Sequence, residues 1–221
     1  PAQREFALLE TLARGLYVGG GAAVLVEHRR AGDRHARLAQ AALKGGANGL
    51  KIHLNVEHFA SGTRFGSFDE EHDNILKIMD VANEFDASVG IVPGGFPFAT
   101  PEEFEELAAL GIDYFDAYPA DAPPWTMHQK HLDIMLAAFA GSSHEQMEMM
   151  QDLGMQMCEA SILPHEEYGR DLSVLDIARY HQLADALDVP IIVPSQKKIA
   201  PRDISCLKRA GAKALLIGAI V

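Results

Sequence analysis

Apolar and polar residues alternate strictly along one short stretch of the chain. Over residues 49–55, Leu50, Ile52 and Leu54 are apolar, while Lys51, His53 and Asn55 are polar. A strand sends successive side chains to opposite faces, so this segment has one greasy face and one carrying three chemically capable groups. On either side the period becomes helical. Phe6, Leu8, Leu9, Leu12 and Ala13 predict a helix over residues 3–14, and Asp33 caps a second helix that runs to about Lys44. Between them Val24, Leu25 and Val26 predict a first strand closing near His28.

The two periods then take turns to the end of the chain. A glycine-bearing loop over 61–67 precedes helical spacing over 68–85 and a strand at 88–93. Thr100-Pro101-Glu102-Glu103 supplies an N-cap, a first-turn proline and acidic first-turn residues for a helix ending at Gly111. Strands at 114–119 and 134–139 flank the irregular stretch 120–133. Ser143 caps a helix that stops at Gly154, before a strand at 156–163. A helix at 173–187, a strand at 190–194, a helix at 201–210 and a strand at 214–221 complete the pattern.

Lys44-Gly45-Gly46-Ala47, Leu110-Gly111-Ile112, Leu153-Gly154-Met155 and Ala210-Gly211-Ala212 each close a helix with glycine just before an apolar strand. Strands alternating with helices predict a parallel sheet covered on both faces. Eight such units predict an α/β fold of the closed (β/α)8 TIM-barrel type, forming one domain over residues 1–221, with an open doubly wound sheet as the rival. The eighth strand ends the sequence, so the eighth helix is missing or replaced by the N-terminal helix. The apolar strand surface this leaves favours a homo-oligomer.

A formal net charge of −12 repels phosphate backbones and argues against nucleic-acid binding. No apolar run reaches the roughly 18 to 20 residues of a membrane span, and the start of the chain has no signal-peptide pattern. Cys158 and Cys206 stand in apolar segments without CxxC spacing, which fits core thiols and a cytoplasmic location.

Barrel enzymes carry their sites at the C-terminal ends of the strands. Lys51 is the sharpest candidate there, because a lysine desolvated inside a barrel can have a depressed pKa and act as a base or Schiff-base amine. Its alternative role is an ion pair with Asp116 or Glu159. His53 shares the lysine's face as a proton shuttle. Asp116 and Glu159 stand among apolar neighbours as partner acids, since buried carboxylates are rarely left unpaired. Asn55, Tyr118 and Ser161 reach the same strand ends as substrate-binding groups. Ser195, Gln196, Lys197 and Lys198 follow the seventh strand, where barrels commonly hold phosphate, and Arg64 could reach an anion from its loop. His53, Glu57, His58, His165 and Glu166 have metal-ligating types, but none shows a fixed spacing such as HExxH, so no metal or other cofactor is expected.

The last segment, PIIVPSQKKIAPRDISCLKRAGAKALLIGAIV, resembles the final third of the ribulose-phosphate-binding barrels. The shared features are a strand, a short turn ending in Ile199, a proline or acidic helix start, and Gly211-Ala212 before the LLIG strand. In that family the turn is usually Ser/Thr-Gly-Gly-Ile, with phosphate on the glycine backbone. Gln196-Lys197-Lys198 stands here instead, so side chains would have to replace that backbone contact. The resemblance implies a small anionic substrate.

Residues and resemblance together lead to one expectation. It is an enzyme acting on a small phosphorylated or carboxylated carbonyl compound, as an aldolase-like lyase or an isomerase. A metal-dependent epimerase or hydrolase and a non-catalytic ligand-binding barrel are the alternatives.

Overall fold

In the computed structural model, residues 22–25, 34–58 and 62–218 are described. Their strands are β1 (Ala22–Leu25), β2 (Gly49–His53), β3 (Glu57–His58), β4 (Thr63–Arg64), β5 (Ser88–Val92), β6 (Tyr114–Ala117), β7 (Asp133–Phe139), β8 (Met157–Ser161), β9 (Ile191–Pro194) and β10 (Ala212–Ile217). The helices are α1 (Arg34–Lys44), α2 (Phe68–Glu84), α3 (Pro101–Ala109), α4 (His144–Asp152), α5 (Val174–Ala186) and α6 (Ile204–Arg209). The helix expected over residues 3–14 and the end of the first strand lie outside the described residues.

Eight parallel strands close into a barrel in the order β1-β10-β9-β8-β7-β6-β5-β2, with β1 pairing both β2 and β10. This is the TIM-barrel fold, and the strand alternation explains it. Leu50, Ile52, Val89, Ile91, Phe115 and Val193 point outward into one apolar layer shared with the helices. The intervening residues point into the barrel. Its floor is a small separate cluster of Met135, Ile192 and Leu216, flanked by Tyr114 and Met157. Gly90 lies opposite Lys51 in register, and a Cβ there would fall 2.0 Å from Cζ of Tyr114. The missing side chain makes room for the tyrosine ring inside the barrel.

Sequence punctuation accounts for the element ends. Ser67, Thr100, Ser143 and Ser173 each form a capping box with the residue three positions on. That arrangement satisfies backbone N–H groups the helix leaves open. Gly46, Gly111, Gly154 and Gly211 follow their helices at φ between 98° and 114°. L side chains rarely adopt that region, which is why glycine closes these helices.

Two segments depart from expectation. The loop over 61–67 is partly a small antiparallel hairpin, β3–β4, held where Phe65 N donates to Val56 O at 2.7 Å and Asn55 N donates to Gly66 O at 2.8 Å. The last strand begins at Ala212, two residues early, because a register shift between Ala212 and Ala214 absorbs Lys213. Among the described residues, no helix is long and apolar enough to cross a membrane.

Candidate active site

The C-terminal ends of the strands surround a cavity of about 420 Å³. At its base, β2, β6 and β8 bring Lys51, Asp116 and Glu159 together. The Lys51 ammonium donates to Asp116 Oδ2 at 2.5 Å and to Glu159 Oε2. All three are buried, at 5%, 3% and 8% exposure. Second-strand, fourth-strand and sixth-strand positions of the closed barrel thus converge because each is the inward residue at the third position of its strand.

Burial by itself would strip the Lys51 proton, but the charges of Asp116 and Glu159 outweigh it and raise the amine above its ordinary value. The depressed pKa expected for Lys51 is therefore corrected: enclosure by two acids holds the lysine as an ammonium. The two acids diverge. Burial and the charge of Glu159 push Asp116 well above the usual carboxylate range, against the pull of Lys51. Burial also opposes ionisation of Glu159, yet the Lys51 charge wins and holds it below its ordinary value. Asp116 is thus driven toward its protonated form and Glu159 toward its carboxylate, on either side of one ammonium. Asp116 Oδ1 is buried and has no hydrogen-bond partner among the described residues.

His53 is buried beside this trio, stacked on Phe65 with ring centroids 4.8 Å apart and edge-on to His58 at 5.1 Å. Burial first, then the Lys51 charge and His58, hold its pKa well below 6.5, so the ring is neutral. Asn55 lines the rim in a left-handed conformation, φ 53°, with Nδ2 donating to Pro93 O at 3.2 Å. It packs against Gly94, where a Cβ would come within 2.8 Å of Asn55 Cβ.

One wall of the cavity is a polar cluster. Tyr118 and Ser161 hydroxyls lie 3.1 Å apart, and Gln196 Nε2 donates to Ser161 Oγ at 3.0 Å and to Tyr168 OH at 2.5 Å. Ser195 Oγ accepts from Gly218 N at 3.0 Å, tying the loop after β9 to the end of β10. Asn55, Tyr118, Ser161, Ser195 and Gln196, expected as substrate-binding groups, all line the cavity.

The basic groups expected to hold an anion, Arg64, Lys197 and Lys198, do not line the cavity. Lys197 is buried away from the cavity, bonded to Glu167 Oε2 at 2.7 Å and Asp176 Oδ2 at 3.0 Å. Lys198 is exposed, its backbone N donating to Arg170 O at 3.0 Å. Arg64 reaches Glu70 at 3.2 Å on the outer surface of the hairpin. Each finds an acid or solvent closer than the cavity.

Two polar lining residues escaped the sequence reading. Tyr168 follows a short 3-10 turn, His165–Glu167, in an aperiodic stretch. Asp121 lies in the irregular segment after β6. Position soon after a strand end is the signal that could have found Asp121, whereas no local signal marks Tyr168. His53, Glu57, His58 and His165 line the cavity but Glu166 does not, and no metal-holding group of three or more His, Cys, Asp or Glu occurs among the described residues.

No protein-family model matches the sequence, and no curated protein matches it either. Solved structures do. The chain is similar to thiamine phosphate pyrophosphorylase from Pyrococcus furiosus, with a TM-score of 0.65 at 13% identity, over 94% of this chain and 88% of that one. It is also similar to a mutant tryptophan synthase α-subunit from the same organism, with a TM-score of 0.62 at 13% identity, over 90% of this chain and 87% of that one. At such identity the likeness establishes the barrel fold.

Proposed function

We propose that this protein is a barrel enzyme that enolises a small hydroxycarbonyl compound, as an isomerase or a lyase. The observation that carries the proposal is a buried ammonium held between two buried acids at the base of the cavity, one acid pushed toward its protonated form and the other toward its carboxylate. Glu159, ionised, takes the proton from the carbon next to the carbonyl. The Lys51 ammonium attracts the negative charge that develops on the carbonyl oxygen, and Asp116, protonated, delivers a proton to that oxygen. In an isomerisation Glu159 then returns the proton to the former carbonyl carbon while the neighbouring hydroxyl gives its proton to Asp116, which restores both acids. In the lyase outcome Glu159 instead takes the proton of a hydroxyl one carbon further out. The intervening carbon–carbon bond breaks to release a carbonyl fragment, and the same enediol is left. A buried, water-poor site strengthens such preorganised charges. Pairs of titratable groups driven apart by their surroundings mark acid and base roles.

The names of the two similar structures, thiamine phosphate pyrophosphorylase and tryptophan synthase α-subunit, support an enzyme on this fold and leave the reaction open. The Schiff-base role for Lys51 has less support, since its amine rests protonated between two acids.

The test is exchange of carbon-bound hydrogen in heavy water across a panel of small hydroxyaldehydes and hydroxyketones, read by NMR. Wild-type protein is expected to exchange the proton next to the carbonyl of at least one member, and Glu159→Gln to lose about 10²–10⁴-fold in rate. Exchange by neither protein removes the proposal. A mass adduct on Lys51 after borohydride treatment transfers it to Schiff-base chemistry.

A further inference from the structure

The polar wall says what the other end of the ligand is made of. Ser161 and Gln196 are buried, at 6% and 4% exposure, yet both line the cavity. Leu163 N donates to Gln196 Oε1 at 3.3 Å, which fixes the amide so that Nε2 faces the hydroxyls. The amide thus supplies donors within the cluster. Ser161, receiving one, keeps its own proton for Tyr118 or for an oxygen in the cavity. Aromatic surface borders this wall: Tyr118 is 37% exposed, and Phe96, at 101%, stands at the rim. Hydroxyl donors and acceptors beside aromatic faces suit a carbon chain that carries hydroxyls on one side and C–H groups on the other.

The charges around the wall are wrong for a phosphate ester. Glu57, Asp121 and Glu159 line the cavity, and among the described residues Lys51 is its only lysine or arginine. That ammonium is already engaged by Asp116 and Glu159. Burial, above all, pushes the Tyr118 phenol up to about 12, so it serves as a neutral hydroxyl. The carboxylates of Glu57, Asp121 and Glu159 oppose an incoming anion.

We infer that the cavity takes an uncharged polyhydroxylated carbonyl compound, a free aldose or ketose rather than its phosphate ester. Its carbonyl lies at Lys51 and its hydroxyls on Tyr118 and Ser161, which Gln196 orients. The placement of the carbonyl rests on the enolisation proposed above, whereas the neutral-ligand assignment rests on the wall and its charges.

Full-chain protein in phosphate-free buffer is titrated with free sugars from tetroses to hexoses and with the corresponding phosphate esters. Binding is followed by ligand NMR and melting temperature. At least one free sugar is expected to bind, with its ester weaker by about tenfold or more, the effect of roughly one uncompensated charge contact. Tyr118→Phe is expected to weaken the sugar about threefold to tenfold while the unliganded protein melts near wild type. Gln196→Met is expected to weaken it further; should that buried change unfold the chain, the Tyr118 variant still decides. An ester bound more tightly than its parent sugar overturns the inference, and so does the binding of no free sugar. A sugar that binds without carbon-proton exchange supports the ligand class and removes the enolisation. Exchange confined to an ester does the reverse.

Discussion

Two buried lysines in this barrel have nearly the same immediate partners and opposite prospects. Lys51 and Lys197 each sit between two carboxyl groups, at 6% side-chain exposure in both cases. Around Lys197 the acids are occupied. Asp176 Oδ2 also accepts from Ser173 N at 2.9 Å and Ser173 Oγ at 2.6 Å, its Oδ1 accepts from Arg179 at 3.3 Å, and the cluster locks the loop after β9 to the start of α5. Around Lys51 an Asp116 oxygen has no partner among the described residues, the surroundings drive the two acids in opposite directions, and the group opens on a cavity. A buried ion pair therefore says little until the remaining lone pairs are counted. Where they are filled the pair positions backbone; where they are left over they are available to a ligand.

The largest effect expected from breaking this contrast is on rate. Lys51→Met is expected to lower carbon-proton exchange about 10²–10⁴-fold, measured by NMR under saturating ligand. Next comes stability at the second lysine. Lys197→Met leaves Glu167 and Asp176 without their cation, and chemical denaturation is expected to show a loss of about 3 kcal/mol with exchange unchanged.

The histidine beside Lys51 gives a smaller, pH-dependent signature. Folding keeps His53 neutral below its ordinary 6.5, while the unfolded chain takes up a proton there. The unfolded state thus binds more protons, so stability falls as pH drops below 6.5 until the lowered folded pKa is reached. The slope is at most about 1.4 kcal/mol per pH unit for one such group. His58 is also lowered, first by burial and then by Lys51, and adds in the same direction. His53→Phe is expected to flatten the dependence of melting temperature on pH over that window. The smallest effect is remote from both lysines: Ser143→Ala removes the cap of α4, with a cost of about 1 kcal/mol and no change in exchange.

Much of the barrel was legible because its signals are local. Period-two alternation, as in Leu50-Lys51-Ile52-His53, separates the helix-facing layer from the interior without knowledge of any partner. Serine and threonine caps and helix-closing glycines carry their own backbone requirements, so Thr100 and Gly111 marked their helix correctly. Lys51, Asp116 and Glu159 were visible as polar residues at inward strand positions. What stayed hidden depends on distant pairing. Nothing near Lys197 in sequence reveals that Glu167 and Asp176 fold against it, so it read as a phosphate ligand. The charge state of Lys51 likewise follows from two acids on other strands, which local sequence cannot weigh against burial. Tyr168 sits in a stretch with no periodicity and became recognisable only through its bond to Gln196.

The most direct test places the two lysine variants side by side, measuring exchange rate and melting temperature on the same preparations. Lys51→Met is predicted to lose exchange while remaining folded, and Lys197→Met to keep exchange while melting at lower temperature. Retention of full exchange by folded Lys51→Met would contradict the assignment of chemistry to the barrel-interior lysine.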